Sequence, residues 1–118
     1  MRLACLLAAL LAWTSAIAQP HSVRECREGG DFIRNVALAR DSGVTREFFV
    51  GRLEDDLVAI RAYPEALRWF VRDNADEAFL RTEVHEVFDA PAASALHHDA
   101  FVERCARRAE RLARGGAP

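Results

Sequence analysis

A leader followed by two widely spaced cysteines constrains this chain more than any other feature. Leu3 to Trp13 form an apolar run behind Met1-Arg2, and Ala16-Ile17-Ala18 follows it. A basic start, an apolar stretch of secretory length and an Ala-x-Ala site mark a signal peptide, so residues 1–18 are expected to be cleaved off before Gln19. Cleavage discards Cys5 and leaves Cys26 and Cys105. An exported chain meets an oxidising compartment, where such a pair is expected to join. The bridge would tie the first part of the mature chain to the last. The loop-entropy model values a cross-link of this span at about 4–5 kcal/mol. That is a large share of a typical total stability of about 5–15 kcal/mol.

The remaining residues, Gln19 to Pro118, have the length of one small domain with a modest core. No apolar run reaches the ~20 residues that a transmembrane helix needs. The expected location is the periplasm or the cell exterior. All sixteen basic residues are arginine, so every cation can fork onto carboxylate or phosphate. Eighteen acidic residues bring the formal net charge to −2. That balance argues against general nucleic-acid binding, which depends on neutralising phosphates.

No sustained alternation marks a strand, and no Asn-Gly or Asp-Gly turn joins two apolar runs. Helical spacing runs through the chain. A first helix is expected from near Asp31, after Gly29-Gly30, with Ile33, Val36, Ala37 and Arg40 in register and a stop at Gly43. A turn of helix around Cys26 before the glycine pair is the alternative, with the pair as a kink. Thr45 can cap a second helix carrying the stripe Phe49, Leu53, Leu57 and Ile60. Pro64 ends it and opens a third segment, Glu65 to Arg72. A short break then leaves Asp73 or Asp76 to cap a fourth helix over 77–88. The last helix, capped at Ser94 or Asp99, carries Phe101, Val102, Cys105, Ala109 and Leu112, with a frayed tail from about residue 115. The expectation is an all-α domain of four to five short helices, closed as an orthogonal or up-down bundle by the Cys26–Cys105 disulfide.

Side chains for catalysis are sparse. There is no Gly-x-Ser-x-Gly elbow, no Ser-x-x-Lys pair and no lysine for a Schiff base. No catalytic residue and no cofactor are assigned. His97, His98 and Asp99 are the best metal candidates, with His85, Glu86 and Asp89 as possible partners. Zinc needs three or four converging ligands, and adjacent histidines on a helix diverge. The plainer reading is a pair of surface histidines near a helix start.

The sharper surface signals are basic and aromatic. Arg104, Arg107, Arg108 and Arg111 recur on neighbouring helical turns, followed by Arg114. They read either as a solvated face that complements the helix dipole or as a docking strip for an acidic partner. Phe48-Phe49 and Trp69-Phe70 are adjacent pairs. Helical neighbours lie ~100° apart, so one of each pair is expected at the stripe's edge. Phe48 and Trp69 are the candidates for exposed partner contacts.

One ordering stands out: a cysteine after the signal peptide, the stretch Ala39-Arg40-Asp41-Ser42-Gly43-Val44-Thr45, Val84 to Phe88 with Pro91, and Phe101-Val102-Glu103-Arg104-Cys105. In it the chain resembles small exported helical proteins of Gram-negative bacteria. The resemblance implies a periplasmic helical fold and carries no active-site residue. The Arg-Asp-Ser-Gly turn before Thr45 is also explained by a helix stop and a helix start. Acid-activated periplasmic chaperones share the small size, the helices and the single disulfide, but their lysine-rich ends have no counterpart here.

These readings converge on a non-enzymatic protein that binds another envelope or secreted protein, as a monomer or homodimer, in the manner of an inhibitor or immunity protein. A periplasmic stress or acid chaperone is the alternative. A small metal-binding protein or enzyme built on His97, His98 and a carboxylate is a further one.

Overall fold

The computed structural model describes residues 19–116. The expected signal peptide over 1–18 and the end of the expected tail, 117–118, lie outside these residues. Four α-helices and one 3-10 turn form among the described residues: α1 (Val23–Asp41), α2 (Arg46–Arg61), the turn Glu65–Leu67, α3 (Asn74–Asp89) and α4 (Ser94–Ala113).

Helix α1 begins well before Asp31. Ser22 caps it with its hydroxyl, which accepts from the Glu25 N–H at 3.1 Å, while the Glu25 carboxylate accepts from the Ser22 N–H at 3.3 Å. This reciprocal box satisfies two otherwise free donors. Gly29 and Gly30 therefore sit inside the helix, and their role is close packing. A Cβ on Gly29 would lie 2.6 Å from Phe101 Cε1, and one on Gly30 would lie 2.7 Å from Val102 Cγ2. Each glycine costs about 1 kcal/mol of helix propensity against alanine, and the pair lets α4 approach the α1 backbone. Gly29→Ala is accordingly expected to lower stability by about 1–3 kcal/mol through overpacking, despite its better propensity. An equal or higher urea midpoint for that variant would contradict this packing.

Helix α1 stops at Gly43, which takes a φ of +95°. Thr45 then caps α2 by accepting from the Phe48 N–H at 3.2 Å. Leu53 and Leu57 are buried, and Phe49 and Ile60 pack beside them. The third segment departs from expectation. It makes a single 3-10 turn, after which Arg68 is extended and the chain bends over 68–70. The Arg68 guanidinium holds it there by donating to the carbonyls of Arg61, Tyr63 and Arg72. The bend brings both Phe70 and Val71 into the core. Phe70 does so at a φ of +49°, a region that costs an L-residue roughly 1–2 kcal/mol.

Asp73 caps α3, accepting from the Asp76 N–H at 2.8 Å. Neither Ser94 nor Asp99 caps α4; its N-cap is Ala93, with no side-chain bond. The segment between α3 and α4 is held instead by Arg40 of α1. Its NH1 donates to the carbonyls of Val87 (2.6 Å) and Ala90 (3.2 Å), and its NH2 donates to that of Ala92 (2.7 Å). A cation on these carbonyls satisfies acceptors that the helix itself cannot.

Side-chain pairs define the topology. Arg46, Glu54 and Arg61 of α2 meet Asp89, Arg81 and Glu77 of α3 in reverse order. Asp76 and Glu83 of α3 meet Arg108 and Arg104 of α4, again in reverse. Cys26 and Arg40 of α1 likewise meet Cys105 and His97 of α4. The helices thus run up, down, up, down. The Cys26–Cys105 disulfide bridges a sequence separation of 79 and belongs to the same buried core as Ile33, Val84 and Phe101. Among the described residues, no helix is long and apolar enough to cross a membrane.

Candidate functional site

The arginine series on α4 divides into internal and external members. Arg104 forks onto Glu83, with Nε 2.8 Å from Oε1 and NH2 2.5 Å from Oε2. That bond with buried Glu83 raises the Arg104 pKa above its ordinary value. Arg108 is buried outright, its side chain 5% exposed, and NH2 reaches Asp76 Oδ1 at 2.9 Å. Its guanidinium lies 5.0 Å over the Phe79 ring. Arg107 pairs along its own helix with Glu103 at 2.7 Å and is exposed. Arg111 is exposed and enters no ion pair among the described residues.

Asp76 anchors a polar node inside the fold. Besides Arg108 it accepts from the Arg72 backbone N–H at 3.0 Å. His21 packs against the node, its ring stacked on Phe70 with centroids 4.0 Å apart. A carbonyl can only accept, so His21 Nε2 donates to the Phe70 oxygen at 2.6 Å and Nδ1 is left facing Arg108 NH1 at 3.4 Å. Arg72 NH2 comes within 3.4 Å of Glu25 Oε2 but makes no aligned hydrogen bond. These contacts fasten the start of the described chain to α3 and α4.

The histidine candidates diverge. His97 is buried, and its Nε2 donates to the Ala90 carbonyl at 2.8 Å. His98 faces α1, with Nε2 3.3 Å from Asp31 Oδ1 and Nδ1 2.8 Å from Asp99 Oδ1. Asp89 is engaged by Arg46. Among the described residues no three His, Cys, Asp or Glu converge as metal ligands would.

The aromatic candidates also separate. Phe48 is 70% exposed, and no ring contact involves it among the described residues. Trp69 is 39% exposed and stands 5.5 Å from the rings of both Phe32 and Phe70. It walls a cleft of ≈ 210 Å³ between α1 and α2, lined further by Phe32, Leu53, Leu57, Ile60 and Leu80. Asp56 is the one charged group in that lining. On its other flank α2 is fastened to α3 by ion pairs. Arg81 forks onto Glu54, at 2.5 and 3.0 Å, and Arg61 onto Glu77, at 2.7 and 2.9 Å. The Arg81 bond holds the Glu54 carboxyl below its ordinary value, and the same contacts raise Arg81 and Arg61.

The volume decides what the cleft can take. Small-molecule pockets run to roughly 300–1,000 Å³. A cleft of ≈ 210 Å³ suits one bulky apolar side chain anchored from a partner's surface. Phe48 does not belong to this cleft, and neither does any of the α4 arginines.

Sequence reasoning singled out Trp69 but not its companions, and it placed Arg104 and Arg108 outside. A signal for the internal arginines was present. Arg108 falls on the line Phe101, Cys105, Leu112, and Arg40 on the line Ile33, Val36, Ala37. A charge on an apolar stripe has to be buried with a partner. Comparison with protein-family models, with curated proteins and with solved structures finds no match to this chain.

Proposed function

We propose that this is an exported, non-enzymatic protein-binding module of the inhibitor or immunity type, acting in the periplasm or outside the cell. The observation that carries the reading is the cleft at Trp69: apolar, sized for one side chain, and edged by a single carboxylate. The disulfide fits an oxidising compartment. The partner inserts an apolar anchor between α1 and α2 and places a cation near Asp56, where charge complementarity speeds association. Affinity capture from the envelope of the producing cells, with mild cross-linking, tests this. The wild-type protein is expected to retain one stoichiometric partner at neutral pH. Trp69→Ala and Asp56→Arg should each weaken that capture by tenfold or more, a loss of about 1.4 kcal/mol or greater. Equal capture by all three proteins would remove the cleft from the account.

An acid-responsive chaperone is the second reading, favoured by one observation. Asp76, Glu77 and Glu83 are buried carboxylates, each engaged by an arginine, and they join α2, α3 and α4. Two carboxylates nearer the surface give the sign of the pH dependence. Glu54 is held low chiefly by its bond to Arg81. Burial opposes the charge on Glu25, but the Ser22 N–H and hydroxyl and nearby Arg72 outweigh it, so Glu25 is also low. A carboxyl depressed in the folded state stabilises the fold above its ordinary value of 4.5. That contribution is lost as the pH falls through the lower folded value. Glu54 is about half exposed, so its share is no more than about 0.2–1 kcal/mol. Glu54→Gln should flatten the fall in stability between about pH 6 and pH 3 by that amount. A slope identical to wild type would show that the Glu54–Arg81 pair adds nothing. The chaperone reading also requires dye-binding apolar surface and suppressed aggregation near about pH 3. A compact, inert protein there would end it.

A further inference from the structure

A second concavity lies between α3 and α4, on the flank of α3 away from α2. It measures ≈ 370 Å³ and is lined by Ala75, Ala78, Phe79 and Thr82 of α3 and by Arg108 and Arg111 of α4. The Phe79 ring provides an apolar surface, with the Arg108 guanidinium 5.0 Å above it. Ala75 and Ala78 are small, so the α3 wall stays low. Thr82 donates its hydroxyl proton to the Ala78 carbonyl at 3.0 Å, so it offers the groove an acceptor and a methyl group, and no donor.

The two arginines give the groove its chemistry. A guanidinium carries five N–H donors. Arg108 directs NH2 to Asp76 and NH1 towards His21, and its Nε–H makes no hydrogen bond among the described residues. Arg108 is almost wholly enclosed, its side chain 5% exposed, and the open space that its guanidinium borders is this groove. Arg111 stands beside it and enters no ion pair among the described residues. Asp76 already balances the Arg108 charge. One uncompensated positive charge remains, from Arg111, with donors from two guanidinium groups and an aromatic surface below.

That combination selects a monoanion on an apolar body. A phosphate dianion would meet a single net positive charge and no hydroxyl or backbone donor. We propose that the α3–α4 groove binds the C-terminal end of a protein chain whose last residue is large and apolar. A terminal residue carries its carboxylate and its side chain on one Cα, so both fit one groove of this size. The carboxylate sits between Arg111 and the free donors of Arg108, and the side chain lies on Phe79. This site stands apart from the Trp69 cleft, and its failure leaves that reading untouched.

The test is an NMR titration of the mature, disulfide-bonded protein with the peptide acetyl-Gly-Gly-Phe, its C-terminal amide, and inorganic phosphate. The free acid should shift the amides of Ala75, Ala78 and Phe79 and the Arg111 side chain saturably, and added salt should weaken it. The amide should bind at least about tenfold more weakly, as a lost charge-assisted hydrogen bond implies. Arg111→Ala, an exposed change, should cause a similar loss, and Ala78→Glu should abolish binding. Equal binding of acid and amide, or unchanged affinity in both variants, would overturn the proposal. Saturable binding of phosphate at the same residues, with none of the peptide, would also overturn it and leave an unselective anion site.

Discussion

Asp76→Ala is expected to destabilise the protein by about 3–5 kcal/mol, the usual cost of stripping one partner from a buried ion pair. Arg108 is then left buried with its side chain 5% exposed and its neutralising carboxylate gone. The Arg72 N–H loses its acceptor as well. Against a typical total of about 5–15 kcal/mol, the loss is large enough to leave a measurable unfolded fraction. The size of the penalty comes from the unpaired charge, and the pair itself contributes less. Replacing both partners with apolar residues, as in Asp76→Leu with Arg108→Met, should therefore recover most of the loss. Urea unfolding followed by circular dichroism measures both variants. A loss below about 1 kcal/mol for Asp76→Ala would mean that water reaches the node and screens Arg108.

Replacing Cys26 and Cys105 together with alanine is expected to cost about 4–5 kcal/mol in the loop-entropy model, given the separation of 79 residues. The bridge joins α1 to α4 at one end of their interface, and the Arg40 contacts with the segment before α4 hold the other. Without the covalent tie, the His21–Phe70–Asp76–Arg108 contacts and the close packing of Gly29 on Phe101 must hold the first end. The variant should unfold at a much lower urea concentration, and its slope should rise because the unfolded chain is more extended. An unchanged midpoint would show that the reduced chain keeps enough residual structure to cancel the effect.

The helices were legible because their signals are local. Thr45 and Asp73 cap as their positions suggest, and the stripe Phe49–Leu53–Leu57–Ile60 faces inward. The first helix was misread at Gly29-Gly30. A glycine pair gives the same local signal whether it stops a helix or admits a neighbour, and only the approach of Phe101 and Val102 distinguishes the two. The segment after Pro64 is not legible locally, because the Arg68 bonds that hold its bend run to carbonyls on both sides of the turn. At the candidate site, adjacency picked out Trp69: the bend there buries Phe70 and leaves Trp69 partly exposed. Its companions in the cleft come from α1, α2 and α3, and no local pattern joins residues so distant. Arg104 and Arg108 show the same limit, since their burial depends on carboxylates 21 and 32 positions away, at Glu83 and Asp76.

The central functional claim is that the cleft beside Trp69 seats a side chain of one protein partner. Photo-cross-linking from exposed Leu67, two positions before Trp69 and outside the lining of the cleft, tests it most directly. A photoreactive phenylalanine analogue replaces Leu67 in one protein and the exposed Asp99 of α4, which does not line the cleft, in another. Each is irradiated in the envelope of the producing cells at neutral pH. The account predicts one adduct of defined mass from position 67, none from position 99, and loss of the adduct when Trp69→Ala is added. The same adducts from both positions, or an adduct indifferent to Trp69, would contradict it.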